Sequence, residues 1–213
     1  PGSPTLAVTP RAAGTDWIVG SAPNTDFNGA GYAPITTCMP SGLPSGIFVA
    51  VGPNAAIASS TDGRSFTARA APAGFTADLH AVAAYTASLN NPSSPNTKIV
   101  AVGAGGASLV SADGVTWSVG APFDAAAPSW RAITTFGATF IAVGDAGAIS
   151  TSTDGVTWTA RTSNTTANLT GIACSANACV AVGGGGAVVR STDAGATWSA
   201  ATVAGAPALR RIA

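Results

Sequence analysis

Ile141-Ala142-Val143-Gly144 leads, through a short Gly/Ala turn, to Ser152-Thr153-Asp154-Gly155-Val156-Thr157-Trp158. The same order recurs: an apolar run ending in Val-Gly, a Ser-x-Asp turn, then an aromatic. Phe48-Val49-Ala50-Val51-Gly52 precedes Ser60-Thr61-Asp62-Gly63-Arg64-Ser65-Phe66, and Ile99-Val100-Ala101-Val102-Gly103 precedes Ser111-Ala112-Asp113-Gly114-Val115-Thr116-Trp117. Val180-Ala181-Val182-Gly183 precedes Ser191-Thr192-Asp193-Ala194-Gly195-Ala196-Thr197-Trp198. Successive Asp residues stand 51, 41 and 39 positions apart. A period of roughly 40 residues is that of a four-stranded propeller blade.

Aligned on these elements, each repeat reads as four strands, a to d. Strand a is Leu79–Tyr85 and its counterparts Tyr32–Cys38, Trp130–Phe136 and Leu169–Ser175. Strand b is the Val-Ala-Val-Gly run, and its unbroken apolar character predicts burial on both faces. Strand c is Ala148–Thr151 and its equivalents, and strand d starts at the aromatic. No segment carries a useful 3.6-residue apolar period, so the chain is all-β. The expected architecture is a propeller-like array of four-stranded antiparallel blades at about 32–69, 79–120, 130–161 and 169–201.

The ends extend the array. Pro1-Gly2-Ser3 reads as the scar of a cleaved tag. Ala7–Trp17 aligns with Ala187–Trp198, so residues 4–31 are expected to give strands c and d of a degenerate blade. Leu209–Ala213 aligns with Leu79–Ala83, which makes residues 202–213 strand a of a further or closing blade. Either the termini meet as a partial fifth blade, or the chain is a piece of a larger propeller. Open blade edges would allow self-association.

Nine basic residues balance nine acidic ones, Glu is absent and Lys occurs once. Net charge near zero argues against nucleic acid or an anionic membrane as partner. The uncharged stretch between Asp26 and Asp62 holds Pro34, Pro40, Pro44, Pro53 and five Gly, so no membrane helix is expected there. Cys174 and Cys179 flank Ser175–Ala178 in one hairpin, at a distance that suits a cross-strand disulfide, while Cys38 has no partner at the matching place. A disulfide and a charge-poor surface point to an extracellular, periplasmic or cell-surface location.

Gly183-Gly184-Gly185-Gly186 has the look of a phosphate loop. Its equivalents Gly52-Pro53-Asn54-Ala55, Gly103–Gly106 and Gly144–Gly147 are read instead as tight b–c turns where Gly tolerates positive φ. Neither nucleotide-binding glycine pattern is met and no helix follows. No cofactor and no metal are expected.

The Ser-x-Asp-Gly-x-Thr-Trp turns resemble the Asp-box, or BNR repeat, of sialidase-type and other β-propellers. With the Ala-Val-Gly strands before each turn, the chain is similar to the photosystem II assembly factor family. The likeness spans about residues 32–200. The fourth copy has the full S-x-D-x-G-x-T-W spacing, the others are one residue shorter, and the first ends in Ser65-Phe66. Asp and Ser would close the c–d hairpin as an Asx-type turn, with the Trp as an apolar lid. The resemblance implies that these boxes lie opposite the ligand site. Ser60, Asp62, Ser111, Asp113, Trp117, Ser152, Asp154, Trp158, Ser191, Asp193, Gly195 and Trp198 are therefore expected to be structural.

The expected ligand face is built from d–a and b–c loops, with the starts of strand a at the central mouth. The second position of strand a reads Ala33, His80, Arg131, Thr170 and Arg210. Converging cations there would suit a carboxylate, a sulfate or an acidic peptide, and the assembly factors likewise hold a client through an arginine patch. Phe75, Asp78, Phe123 and Asp124 from d–a loops and Asp145 from a b–c turn complete the candidate mouth. Asn164–Asn168 belongs to the same rim, and the Ser88–Asn96 insertion falls on the far face.

A sialidase needs an arginine triad, a Tyr nucleophile activated by Glu, and an acid Asp. With no Glu, Tyr32 and Tyr85 at strand positions, and His80 the only His, no catalytic set assembles. The reading is a non-enzymatic exported or surface binding module that recognises a protein segment or a glycan. The alternative is a sialidase-like glycoside hydrolase, or a fragment of one.

Overall fold

A computed structural model of the chain describes residues 26–38, 44–86, 97–120, 128–203, 205 and 208–209. The expected strands of residues 4–25, the Ser88–Asn96 insertion, Phe123, Asp124, Arg210 and the side chain of Cys38 lie outside them.

Among the described residues sixteen strands form four sheets, each a meander in chain order. The first holds β1 (Gly29–Cys38), β2 (Pro44–Val51), β3 (Ile57–Ser60) and β4 (Thr67–Arg69). The second holds β5 (Leu79–Thr86), β6 (Thr97–Gly103), β7 (Ser108–Ser111) and β8 (Ser118–Val119). The third holds β9 (Trp130–Phe136), β10 (Thr139–Gly144), β11 (Ile149–Ser152) and β12 (Thr159–Arg161). The fourth holds β13 (Leu169–Cys174), β14 (Cys179–Gly183), β15 (Ala187–Ser191) and β16 (Ser199–Thr202). Every pairing is antiparallel. The chain is an all-β propeller array. The strands β1, β5, β9 and β13 pack side by side in that order, and no packing of similar extent joins β13 back to β1 among the described residues.

The apolar b strands explain the stacking. In β6, Ile99 and Ala101 enter a core with Ile47, Val49 and Val51 of the first sheet. Val100 and Val102 point the other way, into a core with Trp130, Phe140 and Ala142 of the third. Ile141 and Val143 repeat the pattern against Ala181 and Val189 of the fourth. Burying one such side chain contributes roughly 1.5–3 kcal/mol, so each junction rests on several of them.

The Ser-x-Asp turns lock these junctions. In the third sheet Ser152 Oγ donates to Asp154 Oδ1 at 2.9 Å, and the same oxygen accepts the N–H groups of Val156 and Thr157. Ser60–Asp62, Ser111–Asp113 and Ser191–Asp193 repeat the hydroxyl-to-carboxylate bond at 2.8, 3.0 and 2.8 Å. The turn glycine rests on the preceding sheet: a Cβ on Gly155 would stand 2.7 Å from Val100 Cγ2, and one on Gly114 3.0 Å from Ile47 Cδ1. Trp117 is buried in the core between sheets one and two, and Trp198 in that between sheets three and four. The extra residue of the fourth turn has a visible effect. There Trp198 Nε1 donates to Gly195 O at 3.0 Å, whereas Trp117 Nε1, in a shorter turn, is buried without a partner.

The Val-Gly glycines depart from expectation. Gly103, Gly144 and Gly183 have φ of −166°, −163° and −168°, which is extended backbone open to any residue. They are glycine because a Cβ would collide with the carbonyl oxygen of Asp78, Ser129 or Asn168, just before strand a. Positive φ falls on the second and third positions after that glycine in each turn, such as Gly105 at 59° and Gly106 at 74°. In the fourth sheet Cys174 faces Cys179 in register, with Cα atoms 4.0 Å apart, and the two are joined by a disulfide.

Candidate functional site

Three of the expected mouth residues share one backbone device. In β5 the register runs Leu79↔Gly103 then Ala81↔Val102, which leaves His80 without a cross-strand partner. Arg131 is skipped in the same way between Trp130 and Ala132, and Thr170 between Leu169 and Gly171. Each is the extra residue of a β-bulge, an irregularity that re-aims a side chain out of the ladder. Here it turns the residue toward the end of the array. In the first sheet Gly29 pairs with Val51, so the equivalent residue is Asn28, just before β1. The expectation of Ala33 is corrected: β1 starts at Gly29 rather than Tyr32, and Ala33 lies in the core at 1% exposure.

Asn28, His80, Arg131 and Thr170 line one cavity of about 220 Å³, floored by Ala30, Ala81, Ala132 and Gly171. Three of the four reach a backbone carbonyl further along the chain, two of them at the start of the next sheet. Asn28 Nδ2 donates to Leu79 O at 2.9 Å, His80 Nδ1 to Trp130 O at 2.7 Å, and Thr170 Oγ1 to Leu209 O at 2.8 Å. A carbonyl only accepts, so His80 Nδ1 carries the proton and Nε2 is the acceptor of the neutral ring.

Arg131 breaks the series. Its Nε and Nη2 donate to Oδ1 and Oδ2 of Asp145 at 2.9 and 2.8 Å, a bidentate pair across one hairpin. That bond pushes the guanidinium pKa further up, with burial opposing. The side chains are 41% and 29% exposed, so the pair is open to solvent but geometrically fixed.

The remaining expected mouth residues divide. Asp78 Oδ1 accepts the N–H of Asn54 at 2.8 Å, so this carboxylate caps the b–c turn of the preceding sheet. Asn168 does the same for Ala146 at 2.8 Å. Phe75 packs against the first core instead of facing a ligand. Asp145 is at the mouth but is held by Arg131. The structure thus brings His80, Arg131 and Thr170 together, with Asp145 bonded to Arg131, adds Asn28, and places Asp78 and Phe75 in internal contacts.

On the opposite face the turn carboxylates are ionised over the whole ordinary pH range. Backbone N–H groups of Ser65 and Arg64, with the Ser60 hydroxyl, bring Asp62 to about 2. Thr197 and Ser191 bring Asp193 to about 2. For Asp154 burial works upward, yet the N–H groups of Thr157 and Val156 prevail and set it at about 2; Asp113 is lowered by the same balance. No group of three or more His, Cys, Asp or Glu suited to a metal ion occurs among the described residues.

A family model of the DUF6242 beta propeller domain matches residues 96–209, more than half of the sequence. The chain belongs to that family. No curated protein gives a significant match in sequence. Among solved structures, YCF48 bound to D1 peptide is similar at a TM-score of 0.57 and 20% identity, over 82% of this chain and 54% of that one. YCF48 from Cyanidioschyzon merolae matches at 0.57 and 14% identity, over 85% and 58%. The DUF6242 domain described here therefore spans a little over half the length of those propellers and shares their fold.

Proposed function

We propose that this domain is a non-enzymatic, exported propeller that binds a protein segment at the mouth formed by its β-bulges. The observation that carries the reading is the convergence of Asn28, His80, Arg131 and Thr170, one from each sheet, on a single cavity. Four chain segments spaced along the sequence supply one residue each to one opening, and the flanking blades hold them rigid. The YCF48 structure with a bound D1 peptide supports a peptide as the class of ligand. The described lining carries no Phe, Tyr or Trp on which a sugar could stack, which favours peptide over glycan. The acidic residues placed at the mouth, Asp78 and Asp145, both serve internal bonds, which favours binding over hydrolysis. The Cys174–Cys179 disulfide supports an oxidising compartment.

The test is selection from a displayed peptide library, followed by binding to an Ala30→Trp variant that fills the cavity. Enriched peptides should bind the parent protein and lose affinity at least tenfold to the variant at unchanged melting temperature. Peptides that ignore the filled mouth would overturn the assignment.

A further inference from the structure

The Arg131–Asp145 pair has no counterpart in the other sheets. The residue equivalent to Arg131 is Asn28, His80 or Thr170, and the residue equivalent to Asp145 is Pro53, Ala104 or Gly184. The two charges occur together in one blade and are both absent from the other three. Elsewhere the equivalent residue donates to a backbone carbonyl further along the chain, whereas Arg131 bonds a carboxylate of its own hairpin.

This arrangement decides what the mouth can take. Asn28 Nδ2, His80 Nδ1 and Thr170 Oγ1 each give a hydrogen to a carbonyl, and the Nε–Nη2 edge of the guanidinium is held by Asp145. The local charge of the described lining cancels. A ligand carboxylate seeking that edge would have to displace Asp145, which is covalently tethered and already bidentate, and anywhere else on the guanidinium it meets a charge that Asp145 already answers. A hydrogen-bond donor meets no such competitor, and His80 Nε2 is an acceptor in the neutral ring.

We propose that Asp145 is the specificity-determining residue of the mouth: by neutralising Arg131 and holding its Nε–Nη2 edge it disfavours carboxylates and favours segments that donate hydrogen bonds. This rests on the peptide-binding reading and reverses the anionic ligand expected from sequence, because the charge that suggested an anion is already answered within the blade.

The experiment titrates the ¹⁵N-labelled protein with sodium acetate and, separately, with N-methylacetamide, following the amides of Ala81, Ala132 and Gly171. The parent protein should show no saturable acetate shift at these amides. Asp145→Asn and Asp145→Ala should each gain one, at least tenfold tighter than any parent response, weakened by added salt and abolished by adding Arg131→Gln. Asp145→Glu should behave as the parent. A parent protein that binds acetate at the mouth as well as the Asp145 variants do overturns the proposal. So do folded Asp145→Asn and Asp145→Ala proteins that gain no acetate binding. Failure here leaves the peptide selection with Ala30→Trp intact, while failure of that selection leaves the acetate result standing.

Discussion

His80 and Trp130 begin neighbouring sheets, and the imidazole Nδ1 of the one donates to the carbonyl oxygen of the other at 2.7 Å across 50 positions of sequence. The bond fastens two blades at the mouth. A net intramolecular hydrogen bond contributes about 0.5–1.5 kcal/mol. His80→Ala should therefore lower stability by about 1 kcal/mol in urea unfolding. His80→Asn should recover most of it, since Asn28 makes the same bond in the first sheet. Equal loss in both variants would show that the bond is not what the ring contributes.

Gly103 and Gly105 are neighbours in one turn but are glycine for different reasons. A Cβ on Gly103 would strike the Asp78 carbonyl, while one on Gly105 meets nothing within 4 Å. Gly105→Ala pays only for its left-handed backbone, about 1–2 kcal/mol. Gly103→Ala forces the start of β5 away from the end of β6 within one sheet and should cost more, about 3 kcal/mol or above. Thermal unfolding of the two variants side by side gives the order, and a reversal would refute the close-approach explanation.

Asp62, Asp154 and Asp193 titrate at about 2 in the folded protein, against 3.8 for a free side chain. The folded value is depressed, so the unfolded state binds protons first as acid is added. The stabilisation is complete above about pH 4 and is lost as pH falls toward 2. Urea midpoints should be flat from neutral pH down to about pH 4.5 and then drop. Asp193→Asn should start lower and fall less steeply, because one of the titrating groups is gone.

The Cys174–Cys179 disulfide closes a loop with a sequence separation of 5. Loop-entropy arguments assign a loop of this size about 2 kcal/mol. Reduction, or the Cys174→Ser/Cys179→Ser double variant, should lower the melting temperature by a few degrees and leave the fourth sheet in place. Loss of β13–β16 protection in hydrogen exchange under reducing conditions would show a larger role.

The blades were legible because two signals repeat at fixed offsets: the apolar run before Val-Gly marks the strand buried on both faces, and the Ser-x-Asp turn marks the hairpin that follows. The mouth was only half legible. His80, Arg131 and Thr170 align by counting from Val-Gly, but Asn28 hides because β1 is longer than its counterparts and starts before the tyrosine that seemed to open it. The partnership of Arg131 and Asp145 is invisible in one dimension. Fourteen positions apart, each reads as a lone charge at an opening, and only the folding of β10 back along β9 brings the b–c turn beside the strand start. Phe75 misled in the opposite sense: a loop aromatic suggests a ligand contact, yet its ring is drawn to the nearest core.

The turn glycines seated on the preceding sheet, Gly114 on Ile47, Gly155 on Val100 and Gly195 on Ile141, give the chain a direction of manufacture. A ribosome delivers the amino end first, and each newly emerged blade brings the wedge that seals its predecessor. The bare apolar surface of the growing polypeptide is then only ever one blade wide, and it advances with synthesis instead of accumulating. A chaperone would need to shield the most recent blade alone, however many have been made.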